Sequence, residues 1–122
     1  MRPSKKQNSS QPVSLARARG AGTVRIIAGM WRRTPLTVSD LNGLRPTGDR
    51  VRETLFNWLT HLLGDFSQVE GLDLFAGSGA LGLELASRGA KTVTLIEKNR
   101  AAFSKLLAIR EKLKAEKVLD IH

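Results

Sequence analysis

Gly77, Gly79 and Gly82 have the spacing G-x-G-x-x-G within Asp73-Leu-Phe-Ala-Gly-Ser-Gly-Ala-Leu-Gly-Leu-Glu84, and an acid, Asp73, stands four residues before the first glycine. A loop of this kind, when it follows a strand and opens a helix, lets a nucleotide cofactor approach backbone N–H groups closely. A second acid, Glu97, comes twenty residues after Gly77, where a ribose-binding carboxylate is expected.

Asp73 bears on which cofactor fits. A carboxylate within roughly 4 Å of a phosphate costs about 1 kcal/mol in water and about 4 kcal/mol at the dielectric of a protein surface. A helix N-terminus offsets only about 0.3–1 kcal/mol of that. Repulsion wins, which leaves a nicotinamide dinucleotide as the weaker alternative. A ligand with a positive group beside the loop reverses the sign. S-adenosylmethionine is such a molecule, with an ammonium, a sulfonium, no phosphate, and a ribose diol suited to an acid at a strand end.

These residues need a scaffold, and the chain supplies one in order. Thr23-Val-Arg-Ile-Ile-Ala-Gly29 and Leu36-Thr-Val38 read as two strands of a hairpin over 23–40, with Trp31, Arg32 and Arg33 in the connection. Asp49–Leu63 places Val51, Leu55, Trp58, Leu59 and Leu62 at helical spacing, with Thr47 or Asp49 as the cap. From residue 70 the pattern is strand (Gly71–Phe75), glycine loop, helix (Ala80–Arg88), strand (Thr92–Glu97), helix (about 100–114) and a third strand at Val118–Ile121. The β-α-β-α run over 70–115 opens a parallel sheet, which makes the fold class α/β.

Composition narrows the function classes. The chain has 122 residues and no cysteine, which excludes disulfides and thiolate metal sites, and two histidines are too few for a zinc centre. No metal is expected. No apolar run reaches the length of a membrane span and the N-terminus lacks the apolar core of a signal peptide, so a cytoplasmic protein away from membranes is expected. The net charge of +9 is uneven: residues 1–39 hold eight Lys/Arg and no acid, whereas residues 40–122 hold twelve against eleven Asp/Glu. Residues 1–22 read as a basic flexible tail, either a solvated arm or an arm for nucleic acid. Trp31 reads as packing sooner than as a stacking platform for a base.

"DLFAGSGALGLE" followed by "LIEKN" resembles the first two motifs of class I S-adenosylmethionine-dependent methyltransferases. "RIIAGMWRRTPL" and "GLRPTGDRVRETLFNWL" are similar to the N-terminal signature of the bacterial RsmD family, which methylates N2 of a guanine in 16S ribosomal RNA. The resemblance runs from about Val24 to Lys117 and implies a Rossmann-like methyltransferase fold. What it covers is the N-terminal half of the parallel sheet, preceded by the β-hairpin and the amphipathic helix. It further implies that Asp73, Phe75, Gly77, Ser78, Gly79, Glu97 and Lys98 surround S-adenosylmethionine, with Asp73 on the methionine part and Glu97 on the ribose. Arg25, Arg32, Arg33, Arg45, Arg50 and Arg52 would contact RNA. The implied partner is 16S rRNA within the small ribosomal subunit or an assembly intermediate, and the complete protein would be a monomer.

The sequence departs from the family at one place. The family's Asp/Asn-Pro-Pro-Phe/Tyr segment, which aims the acceptor amine, is absent, since Pro3, Pro12, Pro35 and Pro46 all precede the cofactor loop. No catalytic residue is therefore assigned, and a truncated methyltransferase without methyl transfer is expected, with a non-catalytic RNA-binding remnant as the alternative. An open strand edge beside Leu72, Leu74 and Phe75, and a marginally stable chain, are expected with it.

Overall fold

Thr92-Val-Thr-Leu95 alternates side chains between two environments, as a strand with one covered face requires. In the computed structural model, which describes residues 23–37 and 48–122, this strand is the middle of a three-stranded parallel sheet. Numbered in chain order, the elements are β1 (Thr23–Arg25), β2 (Pro35–Thr37), α1 (Asp49–Leu63), β3 (Glu70–Asp73), α2 (Ala80–Ser87), β4 (Thr92–Leu95), α3 (Arg100–Leu113) and β5 (Leu119–Ile121). The sheet order is β3-β4-β5, with Asp73 opposite Leu95 and Leu95 opposite Ile121.

Both sheet-packed helices lie on one face. Val93, Leu95, Leu119 and Ile121 are buried there with Leu83 and Ala86 of α2 and Leu106 of α3. The alternate row, Leu72, Thr94 and Asp120 in register across the sheet, points the other way, and Leu72 is exposed. Leu74 and Phe75 are exposed as well, and β3 pairs only with β4 among the described strands, so the expected open edge is present.

The hairpin is shorter than its apolar run suggests. β1 and β2 pair antiparallel through Thr23↔Thr37, Val24↔Leu36 and Arg25↔Pro35, and Ile26 N–H donates to the Thr34 carbonyl at 3.0 Å. Ile27 and Ala28 leave the ladder and turn their N–H groups to the Glu84 carboxylate. Trp31 is half-buried against the core cluster, which makes it a packing residue.

Helix α1 has the expected bounds but a different rotation. Its buried residues are Arg52 and Phe56, while Val51, Trp58 and Leu62 of the expected core stripe are 61%, 65% and 75% exposed. Gly48 is the N-cap without a side-chain bond; Asp49 is the first helical residue and its carboxylate turns to Arg52, and Thr47 lies outside the described residues. Helix α3 is capped conventionally, Asn99 Oδ1 accepting from Ala102 N–H at 2.9 Å. Among the described residues no helix is long and apolar enough to cross a membrane, and no cluster of His, Asp or Glu could hold a metal ion.

Candidate cofactor site

The glycine loop lies where β3 ends and α2 begins, and its three glycines serve three purposes. Gly77 has φ +57 with nothing among the described residues within 4 Å of where a Cβ would stand, a side open to a ligand. Gly79, the N-cap of α2, has φ +85, and a Cβ there would lie 2.7 Å from Leu83 Cδ1 and 2.8 Å from Leu106 Cδ2. A Cβ on Gly82 would overlap the Leu95 side chain and approach Asp73 Oδ2 to 3.4 Å. The third glycine of the motif thus brings α2 onto the sheet, and Asp73 lies directly under the first turn of that helix.

Asp73 and Glu97 flank the loop. Asp73 Oδ1 accepts weakly from Phe75 N–H at 3.3 Å. Desolvation by burial pushes the Asp73 carboxyl above its usual range, hydrogen bonds from the Phe75 and Gly82 backbone pull it down, and the nearby Glu97 adds to the rise. No cationic side chain among the described residues forms an ion pair with Asp73. Glu97 Oε1 accepts from Gly77 N–H at 2.7 Å and Oε2 from Asn99 N–H at 2.8 Å. The backbone donor that a phosphate would seek is therefore already given to a carboxylate. Two acids around one glycine loop make an anionic cradle, the electrostatic opposite of a pyrophosphate site.

The remaining expected cofactor residues fall around this cradle without touching each other through hydrogen bonds. Ser78 Oγ accepts from Ala80 N–H at 3.3 Å, a local turn contact. Phe75 is 88% exposed beside the loop, and Lys98 is exposed after Glu97.

Of the arginines expected on RNA, Arg25, Arg32, Arg33 and Arg50 are exposed, and Arg45 lies outside the described residues. Arg52 requires correction. Its side chain is fully buried, with Nη1 3.1 Å from Glu84 Oε1 and Nη2 donating to the Arg25 carbonyl at 3.0 Å and to Asp49. A guanidinium enclosed in this way offers no face to a phosphate. Arg33 has φ +72, a left-handed conformation that disfavours a side chain.

Sequence reasoning missed Glu84 and Ser87, one turn apart on α2. Glu84 is fully buried and accepts from Ile27 N–H at 2.8 Å, Ala28 N–H at 3.0 Å, Arg52 and Arg88 Nε at 2.8 Å. Ser87 Oγ donates to the Ala28 carbonyl at 2.6 Å and accepts from Trp31 N–H at 3.0 Å, while its own carbonyl accepts from Met30 N–H at 2.9 Å. Gly29 at φ +91 lets the hairpin approach so closely that a Cβ would overlap the Ser87 carbonyl. The hairpin connection is thus fastened to the C-terminal end of the helix whose N-terminal end holds the glycine loop. The available signal was Glu84 itself, a lone acid in the apolar run Ala80-Leu-Gly-Leu-Glu-Leu-Ala86, which cannot be buried unpaired.

Comparison with known proteins gives a consistent family. The pattern of the family described as conserved hypothetical protein 95 matches residues 24–122. The ribosomal RNA small subunit methyltransferase D of Escherichia coli K12 is 55% identical over 96 residues, which is 79% of this chain and 47% of that protein. The enzyme of the same name from Haemophilus influenzae is 55% identical over 85 residues, 70% of this chain and 42% of that one. The solved structure of yhhF from Escherichia coli superposes with a TM-score of 0.67 at 47% identity, covering 82% of this chain and 51% of that one. A hypothetical protein of Thermus thermophilus gives 0.69 at 33% identity, covering 81% and 55%. The chain spans about half the length of the curated relatives it matches.

Proposed function

The chain belongs to the RsmD family, the one described as conserved hypothetical protein 95, and from that premise we propose that it carries the cofactor-binding part of a methyltransferase that acts on N2 of a guanine in 16S rRNA. The methyl donor is S-adenosylmethionine, which supplies an electrophilic methyl on a sulfonium. The rRNA substrate rests on the names of the relatives, and the guanine position on the sequence resemblance. A cytoplasmic location accords with a ribosomal RNA substrate.

One observation supports the cofactor above all: a glycine loop of nucleotide-binding spacing whose flanking side chains are both acids, with Asp73 lacking a cationic partner among the described residues. Asp73 would take the ammonium of the methionine part. Glu97 would accept from the ribose hydroxyls with the lone pairs left beside its bonds to Gly77 and Asn99. The open side of Gly77 admits the cofactor against the backbone, and exposed Phe75 and Lys98 border the entrance. Exposed Arg25, Arg32, Arg33 and Arg50, with Arg45, would neutralise RNA phosphates.

Methyl transfer to an amine is an in-line displacement in which positioning carries most of the rate. This chain's part in it is to bind and orient the donor, and none of its residues is assigned as a proton acceptor. Calorimetry with S-adenosylhomocysteine and with NAD tests the reading: the first should bind and the second should not. Asp73→Ala should weaken binding more than Ser78→Ala. Tighter binding of NAD, or equal effects of the two substitutions, would contradict it.

A further inference from the structure

The Glu84 node lies outside the candidate cofactor site, yet it joins the hairpin and α1 to the cofactor helix. Its two carboxylate oxygens receive two hairpin amides, Ile27 and Ala28, together with the guanidinium groups of Arg52 on α1 and of Arg88, the C-cap of its own helix. Arg52 closes the arrangement by donating to the Arg25 carbonyl at the end of β1. Ser87 adds contacts to Ala28, Met30 and Trp31, the residues leading directly into Arg32 and Arg33. Glu84 stands five residues after Gly79, about 7.5 Å along a helix that is rigid over that length.

We propose that Glu84 is a positioning residue: through Ile27, Ala28 and Arg52 it fixes the arginine-bearing hairpin at a set place relative to the cofactor loop, and so determines where RNA is presented to the methyl donor. The inference rests on the reading of the hairpin as an RNA-contacting element. The geometry favours a dedicated fastening over general packing. Two consecutive N–H groups leave the β-ladder to reach one carboxylate, and Gly29 gives the close approach that the fastening needs. A hairpin held only by its apolar contacts would require neither.

The test compares Glu84→Gln, which keeps the size but cannot accept at both oxygens, with Ser87→Ala, which removes hairpin bonds without unpairing a charge. Amide hydrogen exchange should accelerate at Ile27 and Ala28 in Glu84→Gln, and at Trp31 in Ser87→Ala, while Val93 and Leu95 in the sheet keep their protection. Titration with 16S rRNA across salt should show weaker binding and a log–log slope reduced by about one to two phosphates. The affinity for S-adenosylhomocysteine should be unchanged. That split distinguishes positioning from loss of stability, which would weaken both ligands together. Unchanged exchange at Ile27 and Ala28 in Glu84→Gln, or faster exchange with RNA binding and salt slope both unaltered, would overturn the inference. Failure of the unsubstituted protein to bind RNA would instead overturn the RNA reading, leaving hydrogen exchange to decide the hold on the hairpin.

Discussion

The two ends of helix α2 each meet a carboxylate, and the two carboxylates are in opposite states. At the C-terminal end Glu84 is fully buried and saturated by two guanidinium groups and two backbone amides. Near the N-terminal end Asp73 is half-buried, has weak backbone donors and a second acid nearby, and has no cationic partner among the described residues. Burying a charge is costly unless it is paired, so the first arrangement is a completed structural joint. The second is an incomplete one, and a half-buried charge without a cation beside a glycine loop is the feature on which the proposed cofactor site rests. Full pairing marks what holds this molecule together; deficient pairing marks the candidate binding site.

The sharpest way to break this contrast is to delete each carboxylate in turn. Glu84→Ala removes the buried carboxylate shared by Arg52, Arg88 and the Ile27 and Ala28 amides, and should destabilise the protein by roughly 3–5 kcal/mol in urea unfolding. A loss below about 1 kcal/mol would mean that Asp49 and the Arg25 carbonyl suffice for Arg52. Overpacking beside the same helix comes next. Gly82→Ala forces a methyl into Leu95, and Gly29→Ala forces one into the Ser87 carbonyl at a positive φ. Each should cost about 1–3 kcal/mol, whereas Gly48→Ala, with no described residue within 4 Å of its Cβ position, should cost far less.

Asp73→Asn should act in the other direction. The Asp73 carboxyl titrates higher in the folded chain than its ordinary value of 3.8. Its ionisation therefore opposes folding: the stability it contributes is full below the unfolded pKa and is lost as pH rises through the folded one. At neutral pH the uncharged amide should raise the melting temperature of the ligand-free protein slightly while abolishing S-adenosylhomocysteine binding. A variant that melts lower and still binds would remove the contrast between the two carboxylates. The smallest effect belongs to Arg33, whose φ of +72 costs a side chain about 1 kcal/mol. Arg33→Gly should recover part of that in thermal melts while removing one of the proposed phosphate contacts.

Much of the sheet was legible because its signals are local. Thr92–Leu95 alternates, Ala80–Ser87 follows a glycine loop, and the run from residue 70 to 121 folds as β-α-β-α-β close to the expected bounds. The acidic pair at the loop was legible through spacing alone. The rotation of α1 was not, because long-range pairing decides it. Arg52 is drawn to Glu84 and Phe56 lies under Arg88, 4.9 Å from its guanidinium carbon, so positions 52 and 56 face inward and the stripe through Val51, Trp58 and Leu62 turns outward. Arg50 and Arg52, two residues apart, sit about 200° around the helix and so do not share one RNA-facing side. The pairing of hairpin with helix spans more than fifty residues and left no local pattern to read.

The claim that Asp73 is a charge awaiting a cation is most directly tested by following its carboxyl carbon by NMR through an acid titration, with and without S-adenosylhomocysteine. The free protein should titrate at this position above 3.8, and the bound ammonium should lower the value, so that ligand affinity falls as pH drops through the free pKa. A carboxyl that titrates below 3.8 in the free protein, or whose titration the ligand leaves unmoved, would contradict the claim.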